Sequence, residues 1–137
     1  MPAILNNSIK VLIVEERNAL IERIADLLSR EHNITNVTQI TSYTDLQTTL
    51  METVPDLVLG DYFEFKKFCD ETKIPIRELC PEAHILLYSD EDGQSKRIEV
   101  GCLGEQRVFD VRNIQHELRS YLKTRNSEKK VKQVEKR

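Results

Sequence analysis

The sequence predicts an α/β domain: a doubly wound, five-stranded parallel sheet with five helices. Short, continuous apolar runs recur along the 137-residue chain and are typical of strands buried on both faces. Segments with helical periodicity separate these runs, and this alternation is typical of βαβ units. The length suits one hydrophobic core. Because crossovers between parallel strands are right-handed, we expect helices on both faces of the sheet.

The first half of the chain predicts three strands and two helices. Residues 9–14 form a β-branched apolar run interrupted by a single lysine, and they predict the first strand. Leucine and isoleucine then recur with helical spacing up to Asn33, which predicts an amphipathic helix. Residues 37–43 predict the second strand. A second helix ends before Pro55, because a residue that precedes proline avoids the helical conformation, and residues 56–60 predict the third strand.

The second half has a less regular pattern. Four aromatic residues lie within 62–68, where we expect an irregular loop, and a helix follows near 75–80. Residues 83–89 predict another buried strand. The segment 90–101 has room for a short helix only, and Gly93 weakens its start. The last two elements are a strand at 105–110 and an amphipathic helix at 111–125.

The composition is typical of a soluble globular protein, and we expect a cytoplasmic location. Apolar residues make up 39% and charged residues 31% of the chain. No apolar run approaches the roughly 20 residues of a membrane helix, and the N-terminus lacks the long apolar stretch of a signal peptide. Cys69, Cys80 and Cys102 form no CxxC pair, so we expect reduced thiols, with Cys80 and Cys102 buried.

Charge divides the chain into two regions. The last twelve residues hold five basic residues and two glutamates, whereas the whole chain has a net charge of −3. The tail therefore carries +3 and the rest of the chain −6. We interpret residues 1–125 as the folded domain and 126–137 as a basic tail or linker. Such a tail can contact nucleic acid, but a solvated helix extension is the more frequent case.

Polar side chains follow three of the predicted strands at the points where those strands end. Glu15 and Glu16 come directly after the first strand, Asp61 follows the third, and Ser89 and Asp90 end the fourth. In open parallel sheets the carboxyl ends of the strands lie at one edge, and ligands bind there. The sequence therefore predicts a site with clustered carboxylates and a hydroxyl at this edge.

The ordered set of these segments resembles the receiver domain of two-component response regulators over residues 9–124. The segments IKVLIVEER, PDLVLGD, PEAHILLYS and GCLG carry the resemblance. It implies the flavodoxin-like receiver fold. It also implies that Asp61 is the phosphoacceptor, that Glu15 and Glu16 hold Mg²⁺ together with Asp61, and that the hydroxyl of Ser89 hydrogen-bonds the phosphoryl group.

The chemistry implied by the resemblance needs these residue types. A carboxylate at Asp61 would attack a phosphoryl donor and form an acyl phosphate. Attacker and donor are both anionic, so a hard cation with oxygen ligands such as Mg²⁺ has to offset their charge. We expect weak Mg²⁺ binding, because clustered carboxylates also raise the proton affinity of at least one of them.

Several positions depart from the receiver pattern. The lysine that ends the last strand of the family falls on Val108, and the family's aromatic switch position falls on Glu105. Asp90 adds a negative charge directly after Ser89. Aromatic residues also replace the small-residue loop that follows the phosphoacceptor. A site without the lysine loses a cation that stabilises the phosphoryl group, so we expect divergent switching.

Two functions are left open at this point. The first is a phosphorelay receiver domain with Asp61 as phosphoacceptor. The second is a phosphorylation-independent pseudo-receiver that acts as a protein-interaction module. We expect no enzyme, since no general base accompanies the acids of a hydrolase-like site. The expected partners are a sensor histidine kinase or phosphotransfer protein and a downstream protein or separate output domain, with a second copy of the chain as a further candidate. We expect no membrane contact and no direct nucleic-acid binding by this domain.

Overall fold

The computed structural model describes residues 8–73, 76–90, 96–100 and 103–135. The strands are β1 (Ile9–Val14), β2 (Ile34–Ile40), β3 (Leu57–Asp61), β4 (His84–Ser89), β5 (Lys96–Val100) and β6 (Gly104–Asp110). The helices are α1 (Asn18–Ser29), α2 (Leu46–Thr53), α3 (Tyr62–Thr72), α4 (Ile76–Leu79) and α5 (Ile114–Glu135). None of the helices in these ranges is long and apolar enough to cross a membrane.

One sheet organises the domain, with the strand order β2-β1-β3-β4-β6-β5. The first five strands in this order are parallel, whereas β5 runs antiparallel to β6 at the edge. The predicted doubly wound fold of five parallel strands and five helices is therefore confirmed, and β5 is a sixth strand added to it. The second strand begins at Ile34, three residues before the predicted start.

Apolar side chains cover both faces of the sheet, as the continuous apolar runs predict. On one face Leu12, Val14 and Val58 pack with side chains of α2, α3 and α4. On the other face Ile13 and Leu59 pack with side chains of α1 and α5. The strands β1, β3 and β4 are thus buried on both faces, and in sheets of this kind ligands bind at the carboxyl ends of the strands.

The segment after β3 is a regular helix, and the prediction of an irregular loop there is wrong. Tyr62, Phe65 and Phe68 lie three residues apart, a spacing that places them on one buried face of α3. Phe65 also packs against Gly60, where a Cβ atom would come within 3.1 Å of the ring. The aromatic residues are therefore core residues, except Phe63, which is 49% exposed.

Residues 96–100 form β5, so the short helix predicted within 90–101 is wrong in this part. The strand forms an antiparallel hairpin with β6, in which Val100 lies opposite Gly104. Gly104 has a φ of 77°, a conformation that glycine adopts at little cost. Alternating charged and β-branched residues suit an edge strand better than a helix too short to bury a face.

The cysteines differ from the expectation of three reduced thiols. Cys69 in α3 is disulfide-bonded, so the prediction is wrong for this residue. Cys80 is a buried free cysteine, as expected. The expectation for Cys102 lies outside the described residues. At the other end of the domain, α5 continues without a break across the predicted boundary at residue 125.

Val54, the last residue of the turn that ends α2, has an unfavourable backbone conformation. Its φ is 44°, although branching at Cβ makes positive φ especially costly, and its side chain is 59% exposed. We predict that Val54→Gly raises the free energy of unfolding by about 0.5–1 kcal/mol, measured by urea denaturation. Lys73 ends α3 with a φ of 53° and is unbranched, so Lys73→Gly should give a smaller gain. Equal or lower stability of Val54→Gly would contradict this account.

Candidate functional site

The ends of three parallel strands bring the predicted site residues to one edge of the sheet. Glu15 follows β1 directly, and Asp61 is the last residue of β3. Asp61 lies opposite Tyr88 in the sheet, so Ser89 is one residue further along β4. Ser89 is buried, and Asp90 follows it with its side chain partly exposed. The parallel register therefore places these groups at the same edge of the sheet.

Arg17 lies at the centre of the site and binds three carboxylates. Its Nε is 2.8 Å from Oε2 of Glu15, and its Nη2 is 3.1 Å from Oδ2 of Asp61. Its Nη1 donates to Oδ2 of Asp90. The planar guanidinium has five donor hydrogens, which lets one side chain bridge several carboxylates. The positive charge that offsets these three carboxylates thus comes from a side chain of the protein itself.

Glu15 is the most deeply held acid of the site. It is 4% exposed, and its Oε1 accepts hydrogen bonds from the hydroxyl of Tyr88 at 2.7 Å and from Nη2 of Arg17 at 3.0 Å. Its Oε2 accepts from the backbone N–H groups of Glu16 and Arg17. Burial raises the pKa of Glu15, but the hydrogen bonds from Arg17 and Tyr88 outweigh it, and the pKa is lowered. Glu15 is therefore a carboxylate with both oxygens occupied.

Asp61 serves as the N-cap of α3. Its Oδ1 accepts from the backbone N–H groups of Phe63 at 2.9 Å and Glu64 at 3.3 Å, while its Oδ2 binds Arg17. Its side chain is 15% exposed. Burial raises its pKa more than the hydrogen bond from Glu64 and the charge of Arg17 lower it. The cation thus offsets the burial of Asp61 only in part.

Glu16 lies beside the same site. It lines a small cavity together with Glu15, Asp61, Tyr43 and other residues, and the cavity volume is about 30 Å³. This is close to the volume that one molecule occupies in liquid water. The three predicted metal ligands therefore come together at one cavity, but the space between them is small. Burial and then the charge of Asp61 raise the pKa of the Tyr43 hydroxyl, so it is a neutral donor.

The end of β6 presents a carboxylate to the site. Val108 is buried in the core on the α2 side and lies opposite Leu87, whereas Ser89 lies opposite Asp110. Arg112 binds both carboxylate oxygens of Asp110, at 2.9 and 2.6 Å, and its hydrogen bonds lower the pKa of Asp110 to about 2. The strand position next to Ser89 therefore holds an acid with its own arginine.

Glu105, the predicted switch position, lies within β6 opposite Glu99 of β5. It is five residues before Asp110, and Asp110 is the last residue of the strand. The strand rises about 3.4 Å per residue, so the backbone of Glu105 is well removed from the carboxyl edge.

The donor set does not fit a magnesium ion in this arrangement. Among the described ranges of the chain, no group of three or more histidine, cysteine, aspartate and glutamate residues is placed to hold a metal ion. The oxygens of Glu15 and Asp61 are occupied by Arg17, by Tyr88 and by backbone N–H groups. Mg²⁺ requires near-octahedral oxygen ligands at about 2.0–2.1 Å. A cation of this kind would have to displace the guanidinium first.

Sequence reasoning missed three residues that shape this site. Arg17 follows the acid pair directly, and a basic residue at the start of a helix beside two acids is a signal that could have found it. Tyr88 was missed because it lies inside an apolar run, where the pattern predicts a core residue. Asp110 was missed because the lysine position of the family was matched to Val108, although the predicted strand itself extends to Asp110.

Comparison with known proteins supports the fold. No protein-family model matches the sequence, and no curated protein matches it either. A response regulator from Thermotoga maritima has a similar structure, with a TM-score of 0.52 and 22% identity over 62% of this chain and 69% of that one. A LuxR-family two-component response regulator from Aurantimonas sp. SI85-9A1 gives 0.52 and 19% identity over 63% and 61%. The predicted resemblance to receiver domains is therefore confirmed at the level of the fold.

The bridging by Arg17 leads to a stability prediction. Arg17→Met leaves the buried carboxylate of Glu15 without its cation, and we expect the free energy of unfolding to fall by roughly 1–3 kcal/mol. This is less than for a fully buried pair because the Arg17 side chain is 40% exposed. Arg17→Lys keeps the charge and should recover only part of the loss. The ammonium group of lysine lacks the planar, forked set of N–H donors with which the guanidinium bridges several carboxylates. Urea denaturation measures both changes, and unchanged stability of Arg17→Met would refute the bridge.

The raised pKa of Asp61 gives a prediction for pH. The folded protein binds the Asp61 proton more tightly than the unfolded chain, so stability falls as the pH rises from the pKa of the unfolded chain through the folded pKa, and the full cost of ionising Asp61 applies above both. Asp61→Asn keeps the cap and removes this cost. We expect it to be more stable than the wild type at neutral pH, with the difference shrinking as the pH falls through the folded pKa and disappearing below about 4. Asp26→Asn, at an exposed acid of α1, is the control. A difference that grows toward low pH would contradict the prediction.

Proposed function

We propose that this chain is a receiver-type domain of two-component signalling that acts as a protein-interaction module, independently of phosphorylation. The observation that carries the proposal is the guanidinium of Arg17, which bridges Glu15, Asp61 and Asp90. The proposal is the second of the two functions that the sequence left open. In this function, the guanidinium of Arg17 always supplies the positive charge that a metal ion would supply only when bound.

Charge favours this function over phosphoryl transfer. One guanidinium neutralises only one of the three carboxylates that it binds, and Glu16 lies at the same cavity. A phosphoryl group on Asp61 would add further negative charge to a cluster that is already anionic. The next strand end adds Asp110 with its own partner arginine. Transfer to Asp61 would therefore need an added cation, and the position for it is taken.

The geometry of Asp61 supports the same conclusion. Both oxygens of Asp61 already accept hydrogen bonds, one from the start of α3 and the other from Arg17, and these bonds lower its nucleophilicity. Release of the capping oxygen would cost about 1 kcal/mol of helix stability. Release of Arg17 would also take the cation away from the buried Glu15. Both costs oppose reaction at Asp61 in the form of the domain described by the structure.

The first function stays a candidate because one observation favours it. The Asp61 side chain is 15% exposed, and that of Arg17 is 40% exposed, so the guanidinium can swing into solvent. In that case a sensor histidine kinase or phosphotransfer protein would be the phosphoryl source, and Ser89 would contact the product. In either case the output is a downstream protein or a separate output domain.

Incubation with acetyl phosphate and Mg²⁺ followed by intact-mass measurement separates the two functions. We expect no phosphoryl adduct on the wild type, because Arg17 holds the acid cluster. Arg17→Met should gain Mg²⁺-dependent stabilisation in thermal unfolding, which the wild type lacks, because ligands that bind only the folded state stabilise it. A stoichiometric adduct on the wild type that Asp61→Asn abolishes would refute our proposal and establish the phosphorelay function.

A further inference from the structure

A cavity of about 320 Å³ lies between α5 and the sheet, near the amino ends of β3 and β4 and away from the acid cluster. Tyr121 and Arg125 of α5 line one side of it. Asp56, which directly precedes β3, and His84, the first residue of β4, line the other. The volume is at the lower end of the range of roughly 300–1,000 Å³ that small-molecule sites have. The cavity can therefore hold one small organic molecule.

The guanidinium of Arg125 is poorly satisfied at this cavity. Its Nη2 is 3.4 Å from Oδ1 of Asp56, which is long for a charge-assisted hydrogen bond, and its Nη1 donates to the hydroxyl of Tyr121 at 3.2 Å. In the part of the chain that the structure describes, its Nε is buried without a hydrogen-bond partner. The other oxygen of Asp56 is held at 2.8 Å by the backbone N–H of Lys10. A buried donor without an acceptor is costly, so Arg125 has capacity for a better partner.

The charges around the cavity favour a ligand that carries both signs. Three carboxylates and two guanidiniums line it. Glu117 binds the guanidinium of Arg107 with both of its oxygens, so this pair is matched. Asp56 and the exposed Glu82 then face Arg125 alone. A simple anion would meet an excess of negative charge, whereas a simple cation would leave the guanidinium of Arg125 unsatisfied.

We propose that this cavity binds a free α-amino acid in its zwitterionic form. The carboxylate of the ligand accepts hydrogen bonds from Arg125, and its ammonium group donates to Asp56. The long contact between Arg125 and Asp56 is thereby replaced by two charge-assisted contacts. The planar fork of a guanidinium matches the geometry of a carboxylate, and a turn of the Arg125 side chain, which is 22% exposed, presents Nε to the ligand.

The rest of the lining suits an apolar side chain on this amino acid. The rings of His84 and Tyr121 lie with their centroids 5.0 Å apart and their planes inclined by 33°. Leu86, which is buried in β4, adds an aliphatic surface next to them. Ligand sites usually combine such apolar and aromatic contacts with a few polar groups that fix the orientation. An aromatic or branched aliphatic amino acid therefore fits better than a polar one.

Isothermal titration calorimetry with matched probes tests the proposal. L-phenylalanine carries both charges, 3-phenylpropanoate lacks the ammonium group, and phenethylamine lacks the carboxylate. The wild type should bind L-phenylalanine about tenfold or more tightly than either analogue. Arg125→Gln and Asp56→Asn should each weaken the binding of L-phenylalanine by about tenfold or more, because each removes one of the two charges. Arg125→Lys keeps the charge without the fork and should lose less than Arg125→Gln.

Three controls complete the experiment. Arg119→Gln makes the same change at an exposed position of α5 that lines a different cavity, and Asp26→Asn does so at an exposed acid of α1. Both should leave the affinity unchanged. Asp61→Asn should also leave it unchanged, since the cavity is separate from the acid cluster and does not depend on the function proposed for it. In NMR titrations, L-phenylalanine should shift the amides of Asp56 and His84. No saturable binding to the wild type, or equal affinity for 3-phenylpropanoate, would overturn the proposal.

Discussion

The ion pair between Arg17 and Glu15 is the interaction on which the carboxyl edge of the sheet depends. A carboxylate that is 4% exposed has to be paired, because an isolated charge in such a position is very costly. The guanidinium, the Tyr88 hydroxyl and two backbone N–H groups together satisfy it. Since Tyr88 belongs to β4 and Arg17 also binds Asp61 of β3, the same contacts tie three strand ends together. The positions of Glu15 and Asp61 therefore depend on Arg17.

The fold and the chemistry of the site have diverged to different degrees. The order of the five parallel strands and the two packed faces match those of receiver domains, although identity with the two solved structures is only 22% and 19%. A fold of this kind tolerates many sites at the carboxyl ends of its strands, because the core is formed elsewhere. Here the acids at the carboxyl ends lie around a cation, Arg17, which is the residue that precedes the first helix.

The sequence predicted those parts that local patterns determine. The strands β1, β3 and β4 were found because a strand buried on both faces needs a continuous apolar run. The helix α3 was missed because its aromatic residues were interpreted as part of an irregular loop, although their spacing is helical. The strand β5 was missed because five residues with alternating charge carry little periodic signal. In the site, the acids were found as strand ends, but which donor each oxygen binds depends on side chains brought together from different elements, as Arg17 and Tyr88 are.

The cap formed by Asp61 links the acid cluster to the backbone of α3. The same carboxylate accepts hydrogen bonds from the backbone N–H groups of Phe63 and Glu64 and binds Arg17. The start of this helix and the charge balance of the site therefore cannot change separately. Any event that turns Asp61 away exposes these two amides to solvent and accelerates their hydrogen exchange. Phe63, which is 49% exposed, would move with them. A change in the contacts of Asp61 is thus transmitted through the first turn of α3 to Phe63, an aromatic side chain on the protein surface.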